Sequence, residues 1–113
     1  MIDLVRQQGA NDLNRLVQAV VRMLSPRAIY LFGARARARG APGPDSDFDL
    51  LVVVPDETPD EEISPQRTYD IARAVGLPAD IVACRASAFD RWRDSVGTLT
   101  YEAARNGTLV YGA

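Results

Sequence analysis

The chain has 113 residues, 47% of them apolar, which is enough for one modest core and too little for two. A formal net charge of −2 excludes a strong general attraction to nucleic acid. Histidine is absent and Cys84 is the single cysteine, which excludes Ser-His-Asp and Cys-His catalysis, histidine-ligated zinc and an internal disulfide.

All thirteen basic residues are arginine. One reading is the codon bias of a GC-rich genome. Individual arginines near a site carry the second meaning, because guanidinium groups pair well with phosphate. No secretory or membrane-length apolar run is present, so one soluble cytoplasmic domain over residues 1–113 is expected.

In chain order, Leu13, Leu16, Val17, Val20, Val21 and Leu24 recur at helical spacing, with Asn11 as the expected N-cap. Residues 3–8 either extend this helix or form a short one before Gly9. Ser25-Pro26 ends it, since the residue before proline avoids the helical region. Ala28 to Phe32 is an apolar run of strand length, stopped by Gly33 and expected to be a buried central strand. The first part of Ala34 to Pro44 has the makings of a short helix, and Gly40 to Pro44 is loop.

A second strand is expected from Asp47 to Val54, followed by an acidic loop from Pro55 to Ser64. Pro65 to Val75 has a helical pattern closed by Gly76. Asp80 to Ala83 reads as a short third strand, and Ala86 to Asp94 and Thr98 to Asn106 as two further helices. Leu109-Val110-Tyr111 is an apolar tail expected to dock on the core.

The chemistry concentrates in Asp45-Ser46-Asp47-Phe48-Asp49-Leu50. Side chains alternate along a strand, so Asp47 and Asp49 share a face, about 6–7 Å apart along the chain. Two carboxylates at the mouth of an apolar strand repel each other unless a cation joins them. Hard oxygen ligands with few protein donors suit magnesium that arrives with substrate phosphates. A polar turn of solvated acids is the competing reading of the same residues.

Asp80 opens its own apolar strand. The helix between Pro55 and Ala79 supplies what a parallel crossover needs, and parallel neighbours would set Asp80 beside the pair. There it would complete a metal site or accept the proton of an attacking hydroxyl. Gly33, after the first strand, would let a phosphate approach backbone N–H groups at a helix start. For that loop to meet the carboxylates, the first two strands must be antiparallel and the sheet mixed.

Leu31-Phe32-Gly33-Ala34-Arg35-Ala36-Arg37 and Asp45-Ser46-Asp47-Phe48-Asp49-Leu50-Leu51-Val52-Val53 together resemble the minimal nucleotidyltransferases of the DNA polymerase beta superfamily, of the MNT antitoxin type. Asp80-Ile81-Val82 is similar to that family's third-acid strand, and Asn106 to Gly112 to its usual ending. The likeness covers the chain from about residue 11 onward. It implies an α/β (α+β) nucleotidyltransferase fold, a small mixed sheet with helices packed against it.

The resemblance also implies roles. Asp47 and Asp49 would bind two magnesium ions bridging the triphosphate of ATP. Asp80 would complete the second metal site and favour deprotonation of the acceptor hydroxyl. Gly33, Ala34 and Arg35 would line the nucleotide. Two departures stand out: the family's phosphate-touching serine is Ala34, and Gly33 to Asp47 spans 14 positions, longer than the usual loop. Arg35, Arg37 and Arg39 are candidate phosphate contacts or a solvated loop.

The activity implied by the resemblance is an Mg-dependent transfer of AMP from ATP to a hydroxyl of a partner protein. By the same resemblance that partner is a HEPN-type toxin, with this chain as its antitoxin in a homo- or hetero-oligomer. Two alternatives stay open: a catalytically weak or inactive antitoxin that acts by binding, and transfer to a small molecule such as an aminoglycoside.

Overall fold

In the computed structural model, residues 2–37 and 47–112 are described. Arg39, the turn Gly40 to Pro44, and Asp45 and Ser46 lie outside the described residues.

Helix α1 runs from Ile2 to Leu24 and leads into strand β1, Ala28–Phe32. The expected N-cap at Asn11 is therefore a mid-helix residue. Gly9 and Asn11 each weaken a helix by about 1 kcal/mol or less, and tertiary packing of the stripe beyond them overrides that. Leu16 and Val20 are fully buried on that stripe. Ser25, with φ of 46°, turns the chain out of the helix before Pro26.

Short helix α2, Gly33–Arg37, follows β1 directly, and β2 spans Phe48–Val54. The acidic loop then holds a 3-10 turn at Asp60–Glu62. Helix α3, Pro65–Val75, matches its sequence signals: the Ser64 side chain accepts from the Arg67 N–H, proline opens the first turn, and Gly76 closes it with φ of 78°. Strand β3, Ala79–Arg85, is longer at both ends than expected. Helices α4, Ala86–Trp92, and α5, Leu99–Asn106, complete the helical set, with the Thr98 side chain capping α5.

The apolar tail docks on the core as expected, and does so as a strand: β4, Thr108–Gly112, pairs antiparallel with β1, and Val110 packs against the core. Strand order is β3-β2-β1-β4, with β1 and β2 antiparallel and β2 and β3 parallel. The sheet is mixed, as the glycine loop requires. Helix α3 provides the crossover between the parallel pair.

Alternation along β2 sorts the core into two layers. Phe48, Leu50, Val52 and Val54 pack with Leu16, Val20 and Ile71 of α1 and α3. Leu51 and Val53 face Phe89 of α4 and Ala103 of α5 on the opposite side. There Tyr30 stacks on Phe89, ring centroids 5.2 Å apart. Helices thus cover both faces of β2, which explains why its apolar run has no polar interruption after Asp49.

Gly107 lets β4 turn back beside β1. A Cβ there would overlap the Ala103 carbonyl and stand 2.8 Å from the Leu31 carbonyl oxygen. Both obstacles are backbone and cannot rotate away. Gly107→Ala is expected to destabilise the fold by about 1–3 kcal/mol, the usual range for overpacking. A thermal or urea melt reads this directly; an unchanged midpoint would contradict it.

Candidate active site

The register of the sheet decides which acids meet. Phe32 of β1 lies opposite Asp49 of β2, and Asp49 lies opposite Asp80 of β3. Opposed residues share a face, so Phe32, Asp49 and Asp80 form one row across three strands. The strand spacing of about 4.8 Å makes the two carboxylates near neighbours. Their face is the one that carries Leu51, Val53, Val82 and Cys84 deeper in, under α4 and α5.

Asp47 sits one residue before β2, where the Phe48 N–H donates to the Pro78 carbonyl and starts the pairing with β3. Asp47 and Asp80 are exposed and Asp49 is half-buried. This end of the sheet is wet, so Asp47 and Asp80 keep their hydration. Among the described residues, no three His, Cys, Asp or Glu side chains are gathered tightly enough to make a metal cluster. The register brings Asp49 and Asp80 together, and Asp47 stands at the entrance to β2.

Gly33 belongs to this row. Its φ is +74°, a backbone conformation that favours glycine. A Cβ at that position would overlap Asp49 Oδ2 and lie 3.1 Å from its Cγ. The space freed by the missing side chain is occupied by the Asp49 carboxylate, which lies directly against the start of α2. From sequence, this glycine is expected to make room for phosphate; in the structure it first makes room for the acid.

Ala34 and Arg35 lie in the first turn of α2. The Arg35 guanidinium stacks on the Phe48 ring, 3.9 Å from its centroid. A Cβ added to Gly9 of α1 would come within 3.6 Å of the same guanidinium. One face of Arg35 is therefore engaged by a core aromatic side chain on the α1 side of the sheet, a contact worth about 0.5–2 kcal/mol.

A groove of about 350 Å³ opens beside the acids, along β3, which is an edge strand. Asp80 is part of its wall, together with Ile81, Val82, Pro65, Thr68 and Tyr69. Sequence reasoning misses it. Tyr69 and Thr68 look like ordinary residues of an amphipathic helix, and only strand order reveals that β3 is the outermost strand among the described residues.

Away from the acids, Asp56 ties the acidic loop to α4 by accepting from the Ser87 N–H at 2.9 Å. That bond is the main cause holding the Asp56 carboxyl below its usual value of 3.8, with Arg27 and Arg85 helping. A depressed folded-state value means that its stabilisation is present above 3.8 and lost as pH falls below it. Asp56→Ala is expected to lower the melting temperature at neutral pH. The gap from the parent should shrink when both are melted below pH 3.8; a pH-independent gap would contradict this. Burial pushes the Cys84 thiol up to about 11, which keeps it neutral and unreactive.

Known proteins share this fold. Residues 13–97 match the nucleotidyltransferase domain family. A search of the curated proteins found no match. Three solved structures share the fold. One is a toxin–antitoxin complex with AMP-PNP, at 20% identity and a TM-score of 0.60, covering 88% of this chain and 73% of that one. The second is a mutant of the toxin–antitoxin complex MntA–HpeT, at 17% identity and a TM-score of 0.58, covering 88% and 72%.

The third contains a tri-AMPylated Shewanella oneidensis HEPN toxin in complex with an MNT antitoxin, at 18% identity and a TM-score of 0.50, covering 100% and 74%. No described helix is long and apolar enough to cross a membrane. A mixed sheet with paired aspartates at one end, a glycine turned against them and a family match over most of the chain agree: the chain belongs to the nucleotidyltransferase domain family.

Proposed function

We propose that this protein transfers AMP from ATP to a hydroxyl of a partner polypeptide, with magnesium held by Asp47, Asp49 and Asp80. The observation that carries the reading is the register that makes Asp49 and Asp80 neighbours, with Gly33 against Asp49. The donor set fits the ion. All three groups are hard oxygen donors at a hydrated end of the sheet, and magnesium keeps several waters and phosphate oxygens among its ligands.

When bound, the cations neutralise charge on the triphosphate and on the attacking and leaving oxygens. The chain's own residues do the rest. Gly33, Ala34 and Arg35 border the nucleotide from the α2 side. Asp47 and Asp49 fix where the triphosphate sits. Asp80, one strand further out, accepts the acceptor's proton. The acceptor oxygen bonds to the α-phosphorus, the bond from that phosphorus to the β-phosphate's bridging oxygen breaks, and pyrophosphate leaves.

The similar complexes motivate the choice of nucleotide and acceptor. One holds AMP-PNP and another an AMPylated HEPN toxin. A HEPN-type protein is accordingly the partner to test, with cytoplasmic action as an antitoxin. Incubated with ATP and magnesium, such a partner should gain mass in AMP steps. An unchanged mass with every nucleoside triphosphate would overturn the reading.

A second reading rests on Ala34, which stands where the family carries serine. One lost hydrogen bond weakens phosphate binding by about 1–3 kcal/mol. In that case the chain neutralises its partner by binding alone. Neutralisation that survives asparagine at both Asp47 and Asp49 would favour it.

A further inference from the structure

Among the described residues, the row Phe32–Asp49–Asp80 ends at an edge strand. Strand order leaves β3 outermost, with β2 on one side and the groove on the other. An edge strand presents backbone N–H and C=O groups that a further strand can pair with. The groove supplies room for one: it follows β3 from Ala79 to Ala83 and is walled on the other side by Pro65, Thr68 and Tyr69 of α3. Tyr69 is 60% exposed, a large side chain standing beside the strand with little covering it.

We propose that the acceptor enters as an extended polypeptide segment that pairs with β3 and adds a fifth strand to the sheet. This rests on the transfer reading above and names how the substrate is held. Residues directly opposed on neighbouring strands share a face. The residue opposite Asp80 would therefore project on the same side as Asp80 and Asp49, extending the row by one place. A hydroxyl residue at that position meets the carboxylate assigned to take its proton. Its neighbours in sequence project the other way, toward Pro65, Thr68 and Tyr69, where small or apolar side chains fit. Main-chain pairing gives affinity and alternate side chains give selectivity.

Charge defines the far end of the segment. Arg85 closes β3 and is bonded to the Thr58 carbonyl and to the Asp60 carboxylate, so the acidic loop sits at that end of the strand. Residues 55–64 carry Asp56, Glu57, Asp60, Glu61 and Glu62 and no basic residue. The same acids repel phosphate backbones, which favours a polypeptide over a nucleic acid. From Asp80 to Arg85 an extended strand covers about 16 Å at roughly 3.3 Å per residue. The preferred segment has a tyrosine, serine or threonine and, about five positions away, one or two arginines or lysines.

The test uses the full chain and a short blocked peptide with one tyrosine and an arginine pair about five residues from it. Amide hydrogen exchange on the chain, with peptide and no nucleotide, should slow at alternate residues of β3. The Tyr69→Arg variant, which places a cation in the groove, should bind the peptide at least tenfold more weakly. Leu109→Arg, on the opposite edge of the sheet, should bind it as the parent does. Because the readout needs no transfer, inactive chemistry and absent docking give different results. Peptide that protects β4 or α4 and α5 instead of β3, peptide that protects nothing at millimolar concentration, or equal binding by Tyr69→Arg would overturn the proposal.

Discussion

Asp49→Asn is expected to lower nucleotidyl transfer by about 10²- to 10³-fold and to leave the chain folded, the usual loss when one group that stabilises transition-state charge is removed. Asp49 is the hub of the site. It is opposed by Phe32 on one side and Asp80 on the other, and its carboxylate lies against Gly33. Asparagine keeps the shape and removes the charge, so the β2 ladder has no reason to break. Transfer rates at saturating ATP and magnesium, together with circular dichroism, separate the two effects. A variant that is folded and transfers at more than a tenth of the parent rate would assign the chemistry elsewhere.

Gly33→Ala is expected to damage both stability and transfer. The φ of +74° alone costs an L-residue about 1–2 kcal/mol. The new Cβ would also overlap Asp49 Oδ2, a side-chain obstacle that can move. Its movement is the functional loss, because the carboxylate must leave its place beside Asp80. A drop of roughly 4–8 °C per kcal/mol in melting temperature is expected for a chain of this size. Transfer should fall as far as in Asp49→Asn. A variant that is destabilised but fully active would show that the position of Asp49 against Gly33 is structural only.

Several parts of this arrangement are legible from residues alone. The boundaries of α3 follow from Ser64, Pro65 and Gly76, each with a single local conformation to favour. The pairing of β2 with β3 follows from a crossover of the right length containing a helix, and the register of that pairing sets Asp80 beside Asp49. Local signals fail where long-range contacts decide. Asn11 has the chemistry of an N-cap, yet α1 continues through it because the stripe from Leu13 to Leu24 anchors the helix to the sheet.

Thr108, Val110 and Tyr111 favour an extended chain, but the partner β1 lies far back in the sequence and no tight turn joins them, so nothing local names the pairing. Two positions after Gly33, Arg35 is left by the sequence between a phosphate contact and a solvated loop. Its stacking on Phe48 depends on how α2 folds back on β2, which spacing does not encode. The groove beside β3 is invisible in sequence for a related reason. An edge exists only once the order of strands is known, and then the exposed Tyr69 and the acids of the preceding loop acquire a common meaning.

Binding of the nucleotide tests the central claim most directly. Titrating the chain with AMP-PNP while following backbone amide resonances should shift Gly33, Phe48, Asp49, Asp80 and Ile81 when magnesium is present. The same titration without magnesium should shift them far less, because unscreened carboxylates repel the triphosphate. Equal shifts with and without the metal, or shifts centred away from the ends of β1, β2 and β3 that meet at this row, would contradict the account.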